Sequence, residues 1–122
     1  MLIDNQDGTI TDTKTNLMWQ QETTRPLTWD AAIKYCDKLK LSGYSDWRLP
    51  TIQELFSLID FTKFNPCTDT AFFPDTESSD YWSSTTNASH TDYAWLVYFD
   101  DGDVYGLNKS FAYYVRAVRT IE

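Results

Sequence analysis

The sequence has little of what most cofactor and metal sites require. Only four of its 122 residues are glycine, so it lacks the clustered glycines of a phosphate-binding loop. One histidine and two cysteines barely supply the ligands of a zinc site. No apolar run approaches the roughly 18 residues of a membrane-spanning helix, and residues 1–4 lack the features of a signal peptide. We expect no dinucleotide or zinc site, no membrane insertion, and either a cytosolic protein or one domain of a longer exported protein.

Signals for catalysis are equally scarce. His90 lies in a polar run, where a histidine is usually solvated, and no G-x-S-x-G elbow surrounds a serine. No motif pairs a cysteine with the histidine. A glycosidase with paired carboxylates stays open, because eighteen acidic residues can form pairs in any fold. We expect a protein that is not an enzyme.

Basic residues are outnumbered by acidic ones, 10 to 18, which gives a net charge of −8. Such a surface repels phosphate backbones and anionic membranes, so a nucleic-acid partner is not expected. The acidic runs at residues 4–7 and 100–103 could bind calcium or form hairpin turns, in which Asp and Asn bond their own backbone. We favour the turns, and therefore expect no cofactor, with calcium as the alternative.

Aromatic side chains are abundant, at 16% of the chain, and such rings bury a large area each. The length predicts one domain spanning residues 1–122. Asp7-Gly8 between β-forming residues predicts a hairpin. Thr28 is a typical N-cap for a helix over residues 29–39. The run from Thr51 to Glu54 is a capping box that begins a second helix, ending near Asp60.

The second half of the chain predicts a long ordered loop and then strands. The loop spans residues 61–80, and Phe61, Phe64, Phe72 and Phe73 could tie it to the core. Strands are expected at 81–85, 94–99, 104–107 and 113–119, with the N-terminal and C-terminal strands paired. Alternation along the second of these strands places Trp95, Val97 and Phe99 in the core. The plan is α+β with an antiparallel sheet.

Charged residues lie among apolar ones in the run Asp46-Trp47-Arg48 and in the last strand, at Arg116 and Arg119. A buried arginine needs a partner, and we expect Asp46 or Glu54 to provide it. A structural role is therefore predicted for these residues. Cys36 and Cys67 are either two buried thiols or one disulfide, and only the disulfide would imply an oxidising compartment.

Several motifs together resemble a known family. They are Leu17-Met18-Trp19-Gln20, the run from Gly43 to Thr51 with Trp47-Arg48-Leu49-Pro50 at its centre, Tyr81-Trp82-Ser83-Ser84-Thr85, and the end from Val115 to Arg119. Nearly the whole chain resembles the Lcl C-terminal domain family, named for the tip of a collagen-like bacterial adhesin.

The resemblance implies a C-type-lectin-like fold, similar also to formylglycine-generating enzymes, with two helices packed on a twisted antiparallel sheet and a loop-rich second half. It implies a structural place for Trp82 and a secreted or cell-surface location within a longer exported protein. That location favours a disulfide between Cys36 and Cys67. The resemblance also implies an adhesive or fibre-tip module that binds a glycan or protein ligand and can form a homotrimer.

A ligand surface is predicted in the late strands and their loops. Exposed tyrosine with Asn and Asp makes an adaptable contact surface at low entropic cost. The predicted site comprises Tyr93, Tyr98, Asp101, Tyr105, Asn108 and Tyr113. The alternative is that these tyrosines only cover the core.

Three functions follow from these observations. The first is a recognition module for a glycan or a protein. The second is a structural tip or oligomerisation domain whose aromatic residues face sister chains. The third, which we favour least, is a glycan-active enzyme.

Overall fold

The computed structural model describes residues 1–121. Its elements, in chain order, are β1 (Leu2–Asp4), β2 (Thr9–Asp12), β3 (Leu17–Gln20), α1 (Trp29–Lys38), α2 (Ile52–Phe56), β4 (Asp80–Thr86), β5 (Tyr93–Tyr98), β6 (Asp103–Asn108) and β7 (Val118–Thr120). The α+β prediction is confirmed, with two helices and antiparallel strands. None of the helices within residues 1–121 is long and apolar enough to cross a membrane.

The strands form two sheets, where the sequence predicted one. One sheet has the order β1-β2-β3-β7 and the other β4-β5-β6, with every neighbouring pair antiparallel. The first and last parts of the chain do pair, through β3 and β7. The last strand is shorter than the predicted 113–119, because Tyr113 and Tyr114 make only single bridges, to Leu27 and Tyr81, before β7 begins.

The hairpin of β1 and β2 turns where Asp7-Gly8 predicts it. Gly8 has φ 89°, a conformation that glycine adopts without steric cost. Asp7 Oδ1 accepts a hydrogen bond from the Thr9 amide at 3.1 Å, and the Asp4 carboxylate accepts one from the Gln6 amide at 2.8 Å. These bonds are typical of aspartate in a turn and account for the acidic run at residues 4–7.

Both helices begin at the predicted caps. Thr28 Oγ1 accepts from the Ala31 amide at 3.4 Å. Thr51 and Glu54 form the complete capping box, in which each side chain bonds the backbone amide of the other. Helix α2 ends at Phe56 rather than near Asp60, because the following amides bond three residues back and tighten the chain into turns.

The sheet β4-β5-β6 lies between two core clusters, so both of its faces are covered. Leu96 faces the cluster that contains α1 residues Ala32 and Cys36. Val97 faces the cluster that contains Leu55 of α2. Trp95, predicted as core with Val97, is only half-buried. Both faces of this strand are buried at Leu96 and Val97, but the cover is incomplete at Trp95. Alternation gives the face of a residue and not how completely that face is covered.

The long loop is held by backbone bonds and by one phenylalanine. The Cys67 amide donates to the Phe99 carbonyl at 2.8 Å, which fixes the middle of the loop against β5. Phe73 is buried and Phe72 packs partly against the same cluster, as predicted. Phe61 and Phe64 are wrong as core residues, since their exposures are 71% and 82%. Their ring surfaces face outward beside the turn between β5 and β6, where the Asn65 amide bonds the Asp100 carbonyl.

Candidate functional site

The strand register assigns the predicted ligand residues to the two faces of one sheet. Tyr98 lies opposite Asp80 on β4 and Asp103 on β6, and Tyr105 lies opposite Leu96. Because side chains alternate along a strand, Tyr98 and Tyr105 share a face. This face carries the α1-side cluster at its centre and is open near the turn between β5 and β6.

Three tyrosines and one carboxylate meet at the open end of this face. The Tyr98 and Tyr105 rings lie 6.3 Å apart between centroids, and the Tyr105 hydroxyl donates a short hydrogen bond to Asp80 Oδ1. Tyr113 packs edge-on against Trp82 at 5.2 Å between ring centroids. Burial raises the pKa of Tyr113, and the charge of Asp80 raises it further. We call Asp80, Tyr98, Tyr105 and Tyr113 the tyrosine patch. All four side chains are half-buried.

The electrostatics of the tyrosine patch centre on Asp80. Burial raises the pKa of Asp80, and the hydrogen bond from Tyr105 offsets this only in part. The pKa of Tyr105 is raised by burial first and then by donating its proton to the neighbouring carboxylate. No Lys or Arg within residues 1–121 forms an ion pair with Asp80. The patch therefore holds a partly desolvated negative charge that lacks a cation.

The other predicted residues do not join this patch. Tyr93 and Asn108 are direct cross-strand partners, and alternation places them on the opposite face from Tyr98. Asn108 Oδ1 accepts from the Ser110 amide at 2.9 Å, and the Tyr93 ring lies 5.9 Å from that of His90. Asp101 is exposed at the turn. The structure thus brings together Tyr98, Tyr105 and Tyr113, and not all six residues.

Asp80 was missed by sequence reasoning, although a signal for it was present. The residue stands two positions before Trp82, so alternation from this buried tryptophan assigns Asp80 to the same face. What the sequence does not contain is the distance between Asp80 and Tyr105, which lie on strands separated by β5. Tyr105 spans that gap because its long side chain reaches across the middle strand.

The second acidic run is also explained by a turn. Asp101 Oδ1 accepts from the Asp103 amide at 3.0 Å, and Gly102 takes φ 90° between them. Across residues 1–121, His, Cys, Asp and Glu nowhere gather in a group of three that could hold a metal ion.

The predicted structural residues form two forked ion pairs beside β7. Arg119 donates to both carboxylate oxygens of Asp46 at 2.6 and 3.1 Å, and its guanidinium lies 3.7 Å from the centre of the Tyr44 ring. Arg48 donates to both oxygens of Glu54 at 2.6 and 2.8 Å. These bonds lower the pKa of each carboxyl group. Together they link the loop before α2, and α2 itself, to the C-terminal strand.

Arg116 has different partners from the expected Asp46 or Glu54. Its guanidinium is 2% exposed and donates to the carbonyls of Gln20 and Gln21 and to the hydroxyls of Thr23 and Thr76. The nearest carboxylate is that of Asp75, at 3.5 Å. Arg116 therefore supplies hydrogen-bond donors to the backbone carbonyls at the end of β3 and just after it. No sequence motif reveals this role.

Two buried tryptophans each donate to a backbone carbonyl. Trp82 Nε1 bonds the Leu27 carbonyl at 2.9 Å, and Trp47 Nε1 bonds that of Leu41 at 3.3 Å. A buried indole usually finds such a partner. These bonds attach the segments on either side of α1 to the core.

The expected disulfide between Cys36 and Cys67 is wrong, because both thiols are free. Both side chains are buried, and they belong to the two different core clusters. Burial raises the pKa of Cys36 to about 12, and it also raises that of Cys67. The alternative of two buried, unreactive thiols describes the structure.

The chain is a small α+β structure of two antiparallel sheets that carries the half-buried tyrosine patch. The family model of the Lcl C-terminal domain matches residues 8–119. The chain therefore belongs to the Lcl C-terminal domain family, in agreement with the sequence motifs. No curated protein matches the chain.

Proposed function

We propose that this chain is a non-catalytic recognition module that binds a neutral glycan or a protein ligand at the tyrosine patch. The observation that carries the proposal is Asp80, a half-buried carboxylate that has a raised pKa and no cationic partner within residues 1–121. Burial disfavours the charged form of such a carboxylate, and a titratable group with a perturbed pKa that no cation neutralises is a candidate for function.

The surroundings of Asp80 suit two kinds of ligand group. A basic side chain of a protein would supply the missing cation and could lie against the tyrosine rings, whose faces attract cations. A neutral sugar would donate hydroxyls to the carboxylate and place its apolar face on the rings. An acidic ligand would meet the negative charge of Asp80 in addition to the net charge of −8.

The proposal includes the wider setting that the family resemblance implies. We propose a C-type-lectin-like arrangement of the two sheets and helices, and a secreted or cell-surface location as part of a longer exported protein. The half-buried rings of Tyr98, Tyr105 and Tyr113 support a recognition role, since such rings lose little freedom on binding.

The test compares wild type with Asp80→Asn on arrays of neutral glycans and of basic peptides. Losing a hydrogen bond to a charged group weakens binding roughly tenfold or more, so array hits should fall by that factor in Asp80→Asn. Tyr98→Ala should reduce the same hits, whereas the matched control Tyr93→Ala, on the opposite face, should keep them. Equal binding by wild type and Asp80→Asn, with thermal unfolding showing both folded, would refute the proposal.

A second candidate is a homotrimeric tip domain. A separate, exposed apolar surface supports it. Phe56 and Phe61 pack at 5.9 Å between ring centroids and are 39% and 71% exposed, and exposed Val104 lines a shallow pocket with Phe56. Adjoining exposed apolar side chains often mark an interface between proteins. Light scattering after size exclusion would support this candidate if wild type is a trimer and Phe61→Ser is a monomer.

A further inference from the structure

A cleft separate from the tyrosine patch lies between helix α1 and the segment that follows β3. Its volume is about 430 Å³, and its wall comprises residues 22–25 on one side and α1 residues on the other. This volume lies within the range of sites that hold small organic ligands. Its apolar lining comes from Leu27 and Ala31.

The wall opposite α1 is fixed in place by the buried arginine. Arg116 donates to the carbonyls of Gln20 and Gln21, just before the wall, and to the hydroxyl of Thr23 within it. The Thr24 amide also donates to the Val115 carbonyl at 3.1 Å. The cleft is therefore held open by the core of the domain and does not depend on a loose loop.

The charges of the cleft are opposite to those of the chain. Arg25, Lys34 and Lys38 line it, against the single carboxylate of Glu22. None of these three cations forms an ion pair within residues 1–121. In a protein with a net charge of −8, three cations against one carboxylate around a cleft create a local attraction for a negative group.

Tyr35 adds a hydrogen-bond donor to this charge pattern. Its hydroxyl oxygen accepts from Gln20 Nε2 at 2.6 Å, which orients the ring at the edge of the cleft. Because the oxygen is the acceptor in that bond, the hydroxyl hydrogen is left to donate to a ligand. The cleft thus combines cations and a hydroxyl donor, which suit a carboxylate, with an apolar lining, which suits an apolar ligand body.

We propose that this cleft binds a small monocarboxylate with an apolar body, whose carboxylate pairs with Arg25 and Lys34 while its body lies on Leu27 and Ala31. Such a ligand is either a free carboxylic acid or the C-terminal residue of a peptide chain. A long polyanion does not fit, because its remaining charges would extend onto an acidic surface and meet Glu22 at the rim. The site is independent of the proposed function, since its residues are not those of the tyrosine patch.

The experiment is a titration followed by NMR of the backbone amides. The probes are N-acetyl-leucine, its uncharged amide, hexanoate, and a short peptide that ends in leucine as either the acid or the amide. The acid forms should shift the amides of residues 22–25, of Leu27 and of α1, with affinity at least roughly tenfold above that of the amide forms. Tighter binding of the peptide acid than of hexanoate identifies a chain terminus, and the reverse identifies a free acid.

Variants make the result specific to the cleft. Arg25→Gln and Lys34→Gln should each weaken the binding of the acid probes, whereas Lys40→Gln, an exposed lysine outside the cleft, should not. Asp80→Asn should leave carboxylate binding intact, so failure of the tyrosine-patch proposal can be distinguished from failure of this one. Equal affinity for acid and amide forms, no binding of either at millimolar concentration, or equal loss in Lys40→Gln would overturn the proposal.

Discussion

Replacing Arg116 with methionine removes the guanidinium that four acceptors share and keeps a side chain of comparable length. The variant leaves the carbonyls of Gln20 and Gln21 without that donor inside the fold. An unsatisfied buried acceptor costs about 1–3 kcal/mol, and relief from burying a charge offsets part of this. We expect the free energy of unfolding to fall by about 3 kcal/mol, a large share of the roughly 5–15 kcal/mol of a typical domain.

The assay is urea unfolding followed by tryptophan fluorescence. For a domain of this size the slope is of the order of 1.5 kcal/mol per molar urea, so the midpoint should fall by about 2 M. Arg116→Lys keeps the charge but cannot reach four acceptors with one ammonium group, and we expect a smaller loss, of about half. The matched control is Arg25→Met, at an exposed arginine, which should change stability by less than about 0.5 kcal/mol.

The refuting result for Arg116 is specific. A midpoint within about 0.3 M of wild type for Arg116→Met, at an unchanged slope, would show that water replaces the guanidinium without loss. If Arg116→Met does not fold, the test rests on Arg116→Lys. Its urea midpoint should then be measurable and lower than that of wild type.

Two further predictions concern the cysteines and the pairing of α2. Cys36 and Cys67 should resist alkylation in the folded protein and react in denaturant without prior reduction, as measured by mass spectrometry; a mass that shows no free thiol would contradict the structure. The hydrogen bonds from Arg48 hold the pKa of Glu54 below its ordinary value of 4.5, so this pair stabilises the fold above pH 4.5 and that stability is lost as the pH falls through the folded pKa. Glu54→Gln should therefore be less stable at neutral pH and show a flatter decline in acid, and parallel pH profiles would be the contrary result.

Local signals in the sequence were sufficient for the elements that depend on local chemistry. The capping box from Thr51 to Glu54, the cap at Thr28 and the Asp7-Gly8 turn all act between residues close in sequence, so their geometry follows from residue type. The division into two sheets could not be predicted in this way. It depends on Tyr113 and Tyr114 making only single bridges, which is a property of the packed structure.

The candidate site shows the same division between local and long-range information. Alternation assigned Tyr98 to a face, but the predicted set of six combined residues from both faces because Tyr93 and Asn108 lie close to it in sequence. Asp80 was missed because it meets Tyr105 across an intervening strand. The disulfide prediction was wrong because it was based on the cell-surface location that the resemblance implies. Such a location does not reveal that the two cysteines occupy separate core clusters.

The position of Arg116 and β7 near residue 120 has a consequence for synthesis. Arg116 bonds a carbonyl 96 residues earlier, and β7 completes the sheet that begins with β1. A ribosome that has made only the first hundred residues has therefore supplied both helices but neither the donor for the segment after β3 nor the edge strand beside it. Contacts of this separation delay folding until the whole segment is available. The segment after β3 and the sheet of β1 to β3 therefore lack these contacts until residues 116–120 have been made.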